Sequence, residues 1–361
     1  MKKKGLIIFG VIFSIIIIAI ISTIIWYFTS LKAPKVELSE ENSTIIEIKA
    51  GTTTAEILEQ LKQQNLIKNE LVAKIYIKLN KVKNLQAGKY EFTSSQDLKS
   101  VLSKISNGEI MDETVKITFL EGKNMRYIAQ TIAKNTNNKS NDVYKLLEDK
   151  NYITSLIDKY WFLTKDVQNE SIYYPLEGYL YPDTYTFDNK DVKVSTIFET
   201  MLDQMSKVLA KYKIEMEEKK LTVHQVLTIA SIVELEGNNK ENREKIASVI
   251  YNRLSSNMSL GSDVTTYYAI KVDMGDRDLY AKEINTYNAY NTRGPNMNGK
   301  LPVGPIACVS EESIEAAINP VKEKYLYFVA DKNGDIYFSL NYEEHQNMIT
   351  TLKKKGLWYE Y

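Results

Sequence analysis

An uncharged run from Leu6 to Phe28, 23 residues dominated by isoleucine, constrains this chain more than any other feature. About 20 apolar residues in a helix cross the hydrocarbon core of a bilayer, so the run predicts a spanning helix. Lys2, Lys3 and Lys4 precede it, and Trp26 and Tyr27 sit at its far end, where interfacial aromatics collect. A cleaved signal peptide has a shorter apolar region, usually about 7–15 residues, and an A-x-A-like site. No such site follows, so residues 1–28 read as a short tail and an uncleaved anchor. Lys32 and Lys35 lie beyond it; the three lysines before it outweigh them. The positive-inside tendency then keeps the N-terminus cytoplasmic and sends roughly 330 residues across the membrane. With one cysteine in so large an exported part, the expected location is a bacterial cell membrane, C-terminal domain outside.

Composition removes several kinds of chemistry. One cysteine (Cys308) and two histidines (His224, His345) cannot assemble a Cys/His zinc cluster or a disulfide framework, and no metal or cofactor is expected. Lys+Arg and Asp+Glu balance at 46 each, which gives no global pull toward nucleic acid. Cys308, between Ala307 and Val309, reads as a small buried hydrophobe.

After a polar linker (29–43) the sequence repeats a pattern. Thr44 to Leu61 and Thr114 to Ile132 each read as an alternating strand, a Gly turn and an amphipathic helix; Gly51 and Gly122 are 71 residues apart, as are Ile57 and Ile128. A further helix follows each copy, at 70–79 and 141–147. The first copy adds a strand at 87–92 and a helix at 98–106. Residues 44–110 therefore form a small β-α-α-β unit, either a carbohydrate-binding module or a compact spacer, and 111–159 a second strand-helix unit leading into the rest. The fold class is α+β.

Chemistry belongs to 160–361. G-x-S-x-G, S-x-x-K and H-E-x-x-H are absent. Gly294 to Lys300 resembles a phosphate loop, but Leu301 replaces the magnesium-binding hydroxyl and Pro295 removes an amide donor, so it reads as a surface loop. The informative helix opens with a capping box, Thr222 to Gln225, and stops at Gly237. It is apolar nearly all round, hence buried. Glu234 lies inside that apolar run, a costly place for a charge. Its carboxyl either stays protonated, as an acid catalyst needs, or pairs with Arg243 or Arg253. Glu236 is rotated from it by about 200° and is expected at the solvent edge.

The segments L-E-G-Y-L-Y-P-D-T-Y (176–185), A-S-I-V-E (230–234), Y-N-R-L (251–254), Gly261-Ser262-Asp263, Tyr290-Asn291-Thr292, L-P-V-G-P-I (301–306), Y-L-Y-F-V-A-D (325–331) and E-E-H (343–345) occur in this order. The set resembles the endolytic murein transglycosylases, the MltG or YceG-like family. The resemblance implies a LysM-like identity for residues 44–110 and a transglycosylase catalytic domain at 160–361. It also implies a cell-wall lyase that cuts the MurNAc–GlcNAc bond of nascent peptidoglycan strands, limits their length and cooperates with peptidoglycan synthases. Glu234 stands where the resemblance places the catalytic glutamate. Val264 replaces the proline usual in that family after Ser-Asp.

For the remaining candidates the sequence leaves two roles each. Ser262 and Asp263 hold sugar hydroxyls or cap a helix at 265–270. Tyr290 and Asn291 contact N-acetyl groups or serve core packing and a turn. Glu177 is a second acidic group in a cleft or part of a turn, and His345 orients substrate or is a surface histidine. Two other functions compete: a membrane-anchored glycan-binding scaffold without activity, and a muramidase-type hydrolase that adds water.

Overall fold

The apolar run is helical in the computed structural model, which describes residues 2–34, 43–93 and 95–358; most of the expected linker, 35–42 with Lys35, lies outside the described residues. Helix α1 (Lys2–Leu31) contains a stretch, Leu6–Leu31, that is long and apolar enough to cross a membrane, and its most apolar 18 residues are not packed inside the protein. The helix outlasts the apolar run by three residues. The chain divides into two compact units, Met1–Glu113 and Thr114–Tyr361.

In the first unit, β1 (Ser43–Ile48) pairs antiparallel with β2 (Gly88–Thr93), Ser43 opposite Thr93 and Ile48 opposite Gly88. Between them run α2 (Thr54–Gln63) and α3 (Glu70–Leu79); α4 (Leu98–Asn107) follows. Gly51 turns the chain out of β1 at φ +86°, a left-handed conformation costly for a side chain. Thr53 and Glu56 then form a capping box that satisfies the first amides of α2. Ile46, Leu58, Leu61, Val72, Tyr90, Phe92 and Leu102 fill the core. Tyr27 and Leu31 of α1 pack against that core, α1 touches α3, and Lys68 Nζ donates to the Thr29 carbonyl at 3.1 Å.

The second unit begins with the second copy of the repeat: β3 (Val115–Thr118), Gly122 at φ +69°, then α5 (Met125–Asn135), α6 (Ser140–Glu148) and α7 (Lys150–Lys159). Strand β3 pairs antiparallel with β4 (Thr184–Phe187), Val115 opposite Phe187. Residues 114–159 therefore share one sheet and one core with the segment expected to carry the chemistry. Then come α8 (Val194–Ala210), α9 (Lys213–Lys219), α10 (Val223–Glu236), α11 (Lys240–Ser255), α12 (Asp263–Ala269), the single turn α13 (Ala281–Ile284) and α14 (Glu311–Ile318). A hairpin of β5 (Tyr327–Ala330) and β6 (Ile336–Ser339) and helix α15 (Tyr342–Lys354) follow.

Helix α10 organises this unit. The capping box of Thr222 and Gln225 starts it, and every residue from Val226 to Val233 is buried. Helices α11, α12 and α14 pack around it. It stops at Gly237 in an unusual way for a glycine, at φ −103° rather than in the left-handed region. Space is the reason: a Cβ there would lie 2.7 Å from Arg243 Cγ and 3.1 Å from the Val233 carbonyl. The missing side chain lets Arg243 close against the end of α10.

Candidate active site

The last turn of α10 carries two carboxyls on opposite faces, as helical rotation requires. Glu234 turns toward α11 and α14. Its side chain is 5% exposed; Oε1 accepts from Arg243 Nη2 at 3.0 Å, and Oε2 accepts from the Ser310 amide at 2.9 Å and its hydroxyl at 2.5 Å. Arg243 also holds Glu312, while Arg253 is engaged with the carbonyls of Leu326, Ser259 and Leu260. Glu234 thus has the ion-pair partner that the sequence had left as one alternative, and both its oxygens are occupied.

Glu236, expected at the solvent edge, is half-buried. The start of α12 covers that face of α10, and Ser262 Oγ donates to Glu236 Oε1 at 2.7 Å. Burial pushes the Glu236 carboxyl up to about 7, and nearby Asp263 adds to this; the Ser262 bond and the Arg293 guanidinium pull the other way. Asp263 is itself paired with Arg293.

Ser262 occupies the N-cap position of α12, yet its hydroxyl makes no capping bond. Its peptide unit is held instead by two buried threonines: Ser262 N donates to Thr292 Oγ1 at 3.1 Å, and Thr265 Oγ1 donates to the Ser262 carbonyl at 2.7 Å. The two threonine hydroxyls also meet, at 2.8 Å. The hydroxyl that would serve the helix is therefore aimed at Glu236.

The other candidates fall elsewhere. Glu177 is 2% exposed, and both its oxygens accept from the Met125 amide at 3.0 Å while the Tyr268 hydroxyl donates to it at 2.9 Å. Together with the side chain of Asn124 it satisfies the first amides of α5, and burial pushes its carboxyl up to about 7. Tyr290 is fully buried against Tyr173 and Tyr268. The Asn291 side chain, also buried, ties together the carbonyls of Glu283, Ile284 and Thr286. Both therefore occupy the packing-and-turn role. His345 stacks on Tyr327 with ring centroids 5.2 Å apart, and Arg253 lies over the same tyrosine. Cys308 is buried, and its backbone exchanges bonds with the turn after β3: Gly122 N donates to the Cys308 carbonyl and Cys308 N to that of Lys123.

A cavity of about 240 Å³ opens beside the last turn of α10, lined among others by Leu235, Val264, Ile306, Gly122, Lys123 and Tyr127. Its lining mixes apolar side chains with the polar Lys123, Asn124 and Asp273, and neither Glu234 nor Glu236 lines it. Among the described residues, no group of three or more His, Cys, Asp or Glu side chains is placed to hold a metal ion.

Sequence comparison places this arrangement. The model of the YceG-like family matches residues 46–351, across both compact units. The chain belongs to the YceG-like family. Its relatives include the endolytic murein transglycosylase of Bacillus subtilis (strain 168), 37% identical over 320 residues that make up 88% of this chain and 87% of that one. The endolytic murein transglycosylase of Streptococcus pneumoniae serotype 2 is 30% identical over 338 residues, 87% of this chain but 59% of that longer relative. A crystal structure of a YceG-like protein from Listeria monocytogenes matches with a TM-score of 0.61 at 36% identity, covering 85% of this chain and 99% of that one. As a YceG-like protein, the chain has the mixed helix-and-strand architecture expected of it.

Proposed function

We propose that this YceG-like protein is a membrane-anchored endolytic transglycosylase of peptidoglycan, with Glu236 rather than Glu234 as the group that moves the proton. The observation that carries the assignment is the contrast within one helical turn. Glu234 is committed to Arg243 and Ser310, whereas Glu236 is a half-buried carboxyl pushed up to about 7, with one oxygen held by Ser262. A group poised there is substantially protonated at neutral pH, as a general acid must be.

In the reaction, protonated Glu236 gives its proton to the glycosidic oxygen as positive charge develops at C1 of the muramic acid residue. The resulting carboxylate then takes the proton of that sugar's own C6 hydroxyl, whose oxygen bonds to C1. The product is a 1,6-anhydro end, and no water is consumed. One carboxyl suffices because the nucleophile is already part of the substrate, at high effective molarity. A hydrolase needs a second free carboxylate. Asp263, whose charge acts on Glu236, is engaged by Arg293. That favours the lytic route over the muramidase alternative, and the shared name of the relatives favours activity over a passive scaffold.

The reading extends to placement: α1 crosses the cytoplasmic membrane with the N-terminus inside, and the first unit is a LysM-like module holding the catalytic unit near newly made strands and their synthases. The test is mass spectrometry of digested glycan strands. Glu236→Gln should lose about 10²–10⁴ or more in rate while staying folded and melting no lower than the wild type near pH 7. Glu234→Gln should still form product lighter by one water, but with a lowered melting temperature, because Arg243 loses a buried partner. Cleavage at the wild-type rate by Glu236→Gln would sink the assignment, and a reducing end in the product would sink the lytic route.

A further inference from the structure

Helix α3 shows an unusual surface. Leu71, Ile75 and Leu79 are 58%, 36% and 69% exposed, and their spacing of four sets them in one stripe along the helix. Val72 and Ala73, on another face, are buried in the core of the first unit. Lys74 and Lys78 are exposed and flank the stripe, and Lys81 and Lys83 follow it. The helix is therefore apolar on two sides, with only one of them covered by protein.

The neighbourhood says what covers the other. Helix α3 packs against α1, the aromatic end of α1 is seated on the core that α3 helps to form, and Lys68, just before α3, reaches the Thr29 carbonyl. Where the apolar run ends at Trp26 and Tyr27, a spanning helix leaves the hydrocarbon, so anything packed on its last turns is at headgroup depth. We infer that α3 lies on the outer surface of the membrane, its Leu71–Ile75–Leu79 stripe in the boundary between headgroups and acyl chains, and Lys74 and Lys78 on anionic headgroups. Amphipathic helices lie in the interface in this manner, with the apolar side immersed roughly 5–10 Å. Lysine stems cover apolar surface while their ammonium groups stay with phosphate. The first unit then has two attachments to the bilayer, α1 and α3, and is held against it rather than swinging on α1 alone.

This inference rests on α1 crossing the membrane, and the experiment separates the two. The full chain is reconstituted in phosphatidylcholine vesicles containing phosphatidylglycerol. Three variants each carry one environment-sensitive label: Leu79→Cys on α3, Ile16→Cys within α1 and Glu59→Cys on exposed α2; the native Cys308 is buried. The label at position 79 should show blue-shifted emission quenched by lipid spin-labelled near the headgroup, and the one at 59 should not. Quenching at 79 should fall in neutral vesicles or when Lys74 and Lys78 are changed to Glu. If position 16 is quenched by deep spin labels but 79 behaves like 59, α1 is an anchor and the inference is wrong. If 16 is not quenched, the anchor fails and the inference with it. A blue shift at 79 that ignores spin-labelled lipid and grows with protein concentration would assign the stripe to a second copy and also overturn it.

Discussion

Ser262 gives up a helix-capping bond in order to donate to Glu236. That bond favours the carboxylate, so Ser262→Ala should raise the Glu236 pKa above its value near 7. A general acid works while protonated, so the rate falls as pH rises through that pKa. The alkaline limb of the kcat profile should move up by about one to two pH units in Ser262→Ala, since a hydrogen bond to a charged group is worth about 1.5–3 kcal/mol and one unit is about 1.4. An unmoved limb with uniformly reduced activity would make Ser262 merely structural. At this scale, helical geometry was legible: the two glutamates do point opposite ways. Arg243 was already one of two possible partners for Glu234, but the serines that hold each carboxyl, Ser310 and Ser262, were not foreseen. Glu236 is covered by a residue 26 positions later, brought there by the turn of the chain between α11 and α12, and nothing in the local pattern around Glu236 announces it. For Tyr290 and Asn291, spacing showed a motif but could not show that both side chains are spent inside the fold.

Turns and caps were the most readable features among the elements, because their chemistry is local. The Gly turn after β1, the capping box of α10 and the extent of α3 follow from residue types at fixed offsets. The partner of β3 is not local. The repeat showed 111–159 as a strand-helix unit leading into the rest, but not that β3 pairs with β4, nearly 70 residues downstream. Gly178 shows how tightly these distant pieces are fitted. It sits at φ +76°, and a Cβ there would come within 2.3 Å of Pro305 Cβ and 3.2 Å of the Ala307 carbonyl. Gly178→Ala combines a left-handed penalty of about 1–2 kcal/mol with overpacking of about 1–3. A loss of roughly 2–5 kcal/mol in stability is expected from chemical denaturation; a change within about 0.5 would show that the 176–180 turn and the 301–308 segment are not in contact.

For the whole molecule, Glu177 and Glu236 make stability depend on pH in an unusual direction. Both have folded-state pKa values near 7, raised chiefly by burial, against about 4.3 in an unfolded chain. A carboxyl raised on folding favours the folded state fully below about pH 4.3, and that contribution is lost as pH climbs through 7. The buried Glu177 alone accounts for up to ~4 kcal/mol of this dependence. The melting temperature should therefore fall between pH 5 and 7.5, and Glu236→Gln should flatten part of the slope; a rising melting temperature across that window would contradict it. The backbone exchange between Gly122 and Cys308 has a different consequence, one of timing. Glu234 is anchored by Ser310, Glu236 by Ser262, and the turn beside them is sewn to residue 308. In the proposed topology, with the N-terminus held inside, the residues after α1 would emerge in order, Gly122 long before Cys308 and Ser310. The bond-breaking centre then cannot exist while the polypeptide is still in transit; it comes into being only when nearly the whole second unit is outside.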